Sequence, residues 1–192
     1  MVLDAILVTG KVTTVLEQLK IRYFIGGSFA STYYGMVRTT QGSDIVAEFK
    51  QDHIDPFVQK LERDFYIDHE RNVKAVNGLS SFNIIHRDSF FKVDIFVPQM
   101  RPYLEQQFSR AHRQVISIEP AIEAQIASAE DTLIAKLEWY RMGGEESELQ
   151  WRDVLGVLKV QAGTLDRNYL EETSDELGLS DLLDKARNEA KC

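Results

Sequence analysis

The sequence predicts an α/β fold, in the α+β sense of a small twisted mixed sheet flanked by helices, with a helical bundle at its C-terminal end. Three observations carry that prediction. An apolar strand runs into Gly26-Gly27-Ser28 and a short helix. Two later apolar stretches of strand length each hold an aspartate inside them, Asp44 and Asp94. Beyond residue 128 the strand patterns stop and only helical periodicity remains. The composition shift near Ala127 divides the expected organisation into a sheet-containing core, residues 1–127, and a helical region, residues 128–192, packed on it.

Taken in order, Val12, Val15, Leu16 and Leu19 recur at helical spacing over residues 12–21. Residues 22–25 are a short strand, Ser28 is placed to cap a helix reaching Tyr34, and Gly35 stops it. Residues 43–49 read as strand. Residues 52–63 read as helix, with Pro56 in the first turn, where a missing N–H is tolerated. Residues 80–86 and 90–97 form a hairpin across Arg87-Asp88-Ser89. A helix over 102–113 and a strand over 114–118 close this part. Ser128 with Asp131 three residues on is a capping-box-like start. Helices follow over 130–142, 148–161, 166–177 and 180–191, the first ended by Gly143-Gly144. The expected core is Phe24, Ile25, Ile45, Val46, Phe82, Ile84, Val93, Ile95, Leu133, Leu137 and Leu155.

Composition narrows the function classes. The 192 residues carry a formal net charge of −8, which opposes strong nonspecific binding to nucleic acid, because that affinity comes from cations neutralising phosphates. Hydrophobic residues make up 44% and charged residues 27%, the balance of a water-exposed globular chain. No stretch approaches the ~18 apolar residues that span a bilayer, so no membrane partner is expected. The start of the chain has no basic segment or cleavage pattern, and a cytoplasmic location is expected. The single Cys192 excludes a disulfide framework, and the four histidines have no metal-ligand spacing.

Two features point to chemistry. An aspartate within an apolar strand is costly to bury without partners, so Asp44 and Asp94 call for a reason. Gly26, Gly27 and Ser28 offer approachable backbone N–H groups and a hydroxyl at a helix start, a favourable setting for phosphate oxygens. Fourteen residues separate Gly27 from position 42. That spacing, with Arg38-Thr39-Thr40-Gln41-Gly42-Ser43-Asp44 and Lys92-Val93-Asp94-Ile95-Phe96-Val97, resembles the nucleotidyltransferase-fold superfamily. The likeness is to its DNA polymerase β-like minimal members, close to the abortive-infection toxin type. A second block, Lys136-Leu137-Glu138-Trp139-Tyr140-Arg141 followed by Trp151-Arg152-Asp153-Val154, is similar to a downstream segment of the same group.

The resemblance implies binding of a nucleoside triphosphate with Mg²⁺ and transfer of a nucleoside monophosphate to a hydroxyl. The acceptor is left open among a small molecule, a protein and an RNA. Such chemistry uses two divalent ions held by carboxylates, about 3.5–4 Å apart. Positions two apart on a strand share a face, so an Asp-x-Asp pair sets two carboxylates side by side. Asp44 matches the second of that pair and Asp94 the third carboxylate; both would be catalytic metal ligands. Gly42 stands where the first Asp belongs, which weakens the Mg²⁺ site and puts activity in doubt. Restoring Asp at 42 is expected to be accepted by an extended backbone. By resemblance, Gly26, Gly27, Ser28, Arg38 and Thr39 contact phosphate, Lys136 is catalytic at the triphosphate, and Arg141 and Asp153 support it. The alternative is a noncatalytic nucleotide-sensing or partner-binding module, with a toxin–antitoxin pair as one setting for it.

Overall fold

The computed structural model describes residues 2–37 and 42–191. In chain order the elements begin α1 (Val2–Gln18), β1 (Tyr23–Ile25), α2 (Gly27–Tyr34) and β2 (Gly42–Ala47). A 3₁₀ turn (Gln51–His53) leads into α3 (Ile54–Leu61), β3 (Phe65–Ile67), α4 (His69–Asn77), β4 (Ser81–His86) and β5 (Lys92–Phe96). Then come α5 (Pro102–Arg110), β6 (His112–Ser117), β7 (Ile122–Ile126), α6 (Ala129–Met142) and α7 (Glu148–Gln161). The chain finishes with α8 (Arg167–Glu176) and α9 (Ser180–Ala190). These group into two compact units, one of residues 2–26 and 42–126, the other of residues 27–37 and 127–191.

The first unit is built on a seven-stranded sheet in the order β3-β4-β5-β2-β1-β7-β6. Pairs β2–β5 and β1–β7 are parallel and the others antiparallel, so the sheet is mixed. Its inner face follows from period-two alternation: Ser43, Ile45 and Ala47 on β2, Phe82 and Ile84 on β4, and Val93 and Ile95 on β5 are buried. Helix α1 lies on that face, where the Thr9 and Ser43 hydroxyls meet at 3.0 Å. Phe57 of α3 reaches the same core, its ring 5.1 Å from Phe49 and 6.3 Å from Phe82, all edge-on. On the opposite face α5 covers the β1 end of the sheet, with Phe108 edge-on to Phe24 at 5.1 Å.

The structure adds three elements that the residue pattern did not announce: β3, α4 and β7. It also extends the first helix back to Val2 and starts β6 at His112, shortening the preceding helix to Arg110. Two expected core residues are half-buried instead. Val46 falls on the same sheet face as Asp44, and Leu155 sits at the margin of α7's apolar stripe.

The second unit is helical. Leu133 and Leu137 of α6 and Val154, Val157 and Leu158 of α7 form its core, and Leu170, Leu182 and Leu183 bring in α8 and α9. Ser128 caps α6 by accepting from the Asp131 N–H at 3.0 Å, and Asp166 caps α8 by accepting from the Tyr169 N–H at 3.1 Å. The end of α2 approaches α7 closely enough that a Cβ on Gly35 would lie 3.0 Å from the Val157 nitrogen. Glutamine 161 secures the approach, its side-chain amide donating to the Tyr34 carbonyl at 2.9 Å.

Candidate functional site

Strands β2 and β5 run side by side in parallel, with Gly42 opposite Lys92 and Asp44 opposite Asp94. Alternation turns these four residues to the open face, away from the buried Ser43, Val93, Ile45 and Ile95. On the far side of β5, Asn83 of β4 lies opposite Asp94. Two carboxylates in register on neighbouring strands repel each other unless a cation intervenes. A cation stands beside one of them: the Lys92 Nζ is 2.7 Å from the Asp94 Oδ2. The pair is partly screened, with side chains 49% and 22% exposed, so by itself it contributes no more than about 1 kcal/mol.

Position 42 is closed to a side chain by the backbone of its neighbour. A Cβ built on Gly42 would meet the Lys92 carbonyl oxygen at 2.8 Å, a contact that only a backbone shift can relieve. The expectation that an extended strand accepts Asp there is therefore corrected. The glycine lets β2 and β5 approach at the height of Lys92.

Asp44 and Asp94 are two carboxylate donors without a third, a set that would hold a divalent ion only weakly. Among the described residues, no group of three or more His, Cys, Asp or Glu side chains is disposed to hold a metal. Gly42 supplies no donor and Asp94 already carries an ammonium. An ion with charge +2 about 5 Å from that ammonium is repelled by roughly 2 kcal/mol even at the dielectric of bulk water.

The glycine–serine segment divides between the units. Gly26 belongs to the first, where its N–H donates to the Asp44 carbonyl at 2.9 Å, extending the β1–β2 ladder. That amide is spent on the sheet. Gly27 opens α2 in the second unit with a φ of 54°, a left-handed conformation that a side chain would strain. Ser28 follows in the first turn of the helix rather than at its cap. Arg38 and Thr39 lie outside the described residues.

Within the second unit the resemblance block forms a buried polar cluster. Lys136 Nζ is 2.9 Å from Asp153 Oδ2, with the two side chains only 8% and 6% exposed. The Ser31 hydroxyl lies 3.1 Å from the same Asp153 oxygen and 3.1 Å from the Ser28 carbonyl, tying α2 to the pair. Burial of an ion pair is tolerated only when each charge is satisfied, and loss of one partner costs about 3–5 kcal/mol. Arg141 stands apart from this cluster. Its guanidinium takes Asp181 at 2.6 and 2.8 Å and Glu145 at 2.9 Å, and holds the Asp181 carboxyl below its ordinary range chiefly through that hydrogen bond.

The residue pattern assigns Lys92 no role at the face and Asp131 only a part in the start of α6. The signal for Lys92 was present, since it lies two residues before Asp94 on one strand and so shares its face. Asp131 is fully buried, accepting hydrogen bonds from the Ser128 hydroxyl at 2.7 Å and the Tyr169 hydroxyl at 2.6 Å. Its Tyr169 partner is 38 residues away, and no local pattern foretells it.

No protein-family model matches the chain, and no curated protein matches it. Solved structures do. An antigenic nucleotidyltransferase-like protein from Paracoccidioides brasiliensis is 18% identical with a TM-score of 0.54, over 95% of this chain and 92% of that one. The antibiotic-resistance factor ANT(2'')-Ia, solved in solution, is 7% identical with a TM-score of 0.55, over 98% of this chain and 100% of its own. The lincosamide antibiotic adenylyltransferase LnuA, with lincomycin bound, is 16% identical with a TM-score of 0.50, over 77% of this chain and 92% of its own. The chain has the nucleotidyltransferase fold. No described helix is long and apolar enough to cross a membrane.

Proposed function

We propose that this chain binds a nucleoside triphosphate and that its nucleotidyl-transfer activity is weak or absent. The observation that carries the reading is the β2–β5 face. It keeps two carboxylates in register, Asp44 and Asp94, but pairs the neighbouring position with Gly42 and Lys92. A face of that kind retains the layout of a transferring site while lacking the donors such a site needs. In this reading Gly27 and Ser28 contact phosphate, Arg38 and Thr39 add to that contact, and Lys136 would reach the triphosphate only by exchanging its buried partner Asp153 for it. Arg141 is left with a surface role. If transfer persists at a low level, the acceptor hydroxyl oxygen bonds to the α-phosphorus as the bond from that phosphorus to the α–β bridging oxygen breaks, pyrophosphate leaves with that oxygen, and the hydroxyl proton passes to the Asp94 carboxylate.

The resemblance also called for Mg²⁺, and with Asp44 and Asp94 as its only two carboxylates the β2–β5 face would hold that ion weakly, so no step is routed through it. Thermal shift with ATP, GTP, CTP and UTP, each with and without Mg²⁺, tests the proposal. A nucleotide at a hundredfold excess over its Kd stabilises the native state by about 2.7 kcal/mol, a rise of several degrees in Tm. At least one of the four should do so without Mg²⁺, while pyrophosphate release stays near background. Absence of any nucleotide-dependent shift overturns the binding reading. Brisk pyrophosphate release that survives Asp44→Asn and Asp94→Asn overturns the site.

A further inference from the structure

We infer that Lys92 is a tethered cation standing in for the divalent ion at the β2–β5 face, and that it is the group that closes this face to metal. The inference goes beyond nucleotide binding and is read with metal alone, so its failure and the failure of the nucleotide reading are distinguishable.

The argument begins with charge. Parallel register sets Asp44 directly opposite Asp94, on strands about 4.8 Å apart. Opposed like charges on adjacent strands destabilise a sheet, so the face requires positive charge close to the carboxylates. A divalent ion is one way to provide it. The Lys92 ammonium is another, and it sits 2.7 Å from Asp94, within charge-assisted hydrogen-bond range.

Position 42 completes the argument. Across from Lys92 there is a glycine, and the Lys92 carbonyl fills the space a Cβ would need. The side of the face that would have supplied another carboxylate is therefore closed by the backbone of the residue that supplies the ammonium. One residue both blocks the missing ligand and replaces the ion.

Mn²⁺ is the probe, because its free-ion spectrum reports binding directly and its ligand preferences follow those of Mg²⁺. The wild-type chain, Lys92→Gln, Lys92→Arg and the double variant Lys92→Gln/Asp94→Asn are titrated without nucleotide, and Tm is followed in parallel. Lys92→Gln should bind Mn²⁺ at least about tenfold more tightly than wild type, as expected when a fixed positive charge is removed from beside a divalent ion. Its Tm should fall without metal and recover on Mn²⁺ addition. Lys92→Arg should resemble wild type, and the double variant should lose the gain. If Lys92→Gln folds only with Mn²⁺ present, the inference is supported. The inference is overturned if wild type already binds Mn²⁺ as tightly as Lys92→Gln, if Lys92→Arg gains as much as Lys92→Gln, or if the gain survives Asp94→Asn. Failure of Lys92→Gln to fold even with Mn²⁺ also counts against it.

Discussion

Gly42 and Lys92 lie opposite each other on β2 and β5, so a side chain added at position 42 is felt first by the backbone of Lys92. Replacing Gly42 by Asp adds a carboxylate to a face that already holds Asp44 and Asp94, and it drives a Cβ to 2.8 Å from the Lys92 carbonyl. Overpacking of this kind costs about 1–3 kcal/mol. Gly42→Asp should therefore lower the urea midpoint, and it should bring little metal affinity while Lys92 remains. A Gly42→Asp protein as stable as wild type would show that β2 relaxes away from β5 more easily than its register suggests. The buried pair in the second unit behaves differently. Asp153→Ala strands the Lys136 ammonium in a site 8% exposed and should cost about 3–5 kcal/mol in urea unfolding. Lys136→Met combined with Asp153→Leu removes both charges and should recover most of that loss. If the double variant is no better than the single one, the Ser31 hydrogen bond is the larger contributor. The resemblance pointed to Lys136 with Asp153 in support of it, but it could not say that the two are buried. It also set Arg141 beside Asp153 in support of Lys136, whereas Arg141 pairs with Asp181 and Glu145 instead.

At the scale of elements, legibility followed length and periodicity. The long helices of the second unit and the two Asp-bearing strands were readable because their apolar spacing repeats several times. β3 has three residues with a buried, exposed and intermediate sequence, too short for alternation to register. α4 is short and strongly polar, with Asn72, Ala75 and Val76 as its buried contribution, so few apolar residues mark its inner face. In β7 the run Ile122-Glu123-Ala124-Gln125-Ile126 does alternate, but Ile122 and Ile126 are also at helical i, i+4 spacing. Val46 was expected in the core because apolar residues in strands usually face inward; its register beside Asp44 sends it to the other face. The glycine that ends α2 has a packing role that spacing did not reveal. A Cβ on Gly35 would meet the Ser31 carbonyl at 2.8 Å and the Val157 nitrogen at 3.0 Å, both backbone atoms. Gly35→Ala should thus destabilise by about 1–3 kcal/mol, although alanine is the better helix former. Equal or greater stability in thermal unfolding would mean that α2 and α7 separate at little cost.

For the molecule as a whole, a net charge of −8 makes acid the informative perturbation. Two carboxyls are held below their ordinary range by cations. Asp64 is hydrogen-bonded to Lys11 at 2.7 Å, and Asp181 to Arg141. A lowered folded-state value means that the unfolded chain takes up protons first. The stabilisation from each pair is therefore fully present above the unfolded value near 3.8 and is lost as pH falls through the lower folded value. Both pairs are at the surface, and for Asp64 solvent screening limits the contribution to about 0.5 kcal/mol. Acidification acts in the opposite sense through net charge: protonating carboxylates first relieves self-repulsion among 30 acidic and 22 basic residues, then leaves an excess of cations. Stability should hence be flat or slightly rising from pH 7 to about 5, then fall below about 4, in urea titrations at low salt. Asp64→Asn should flatten the acid limb a little, and added salt should reduce the difference between variant and wild type. An acid limb that is steep, unaffected by salt and unchanged by Asp64→Asn would place the decisive titration away from the Lys11–Asp64 pair.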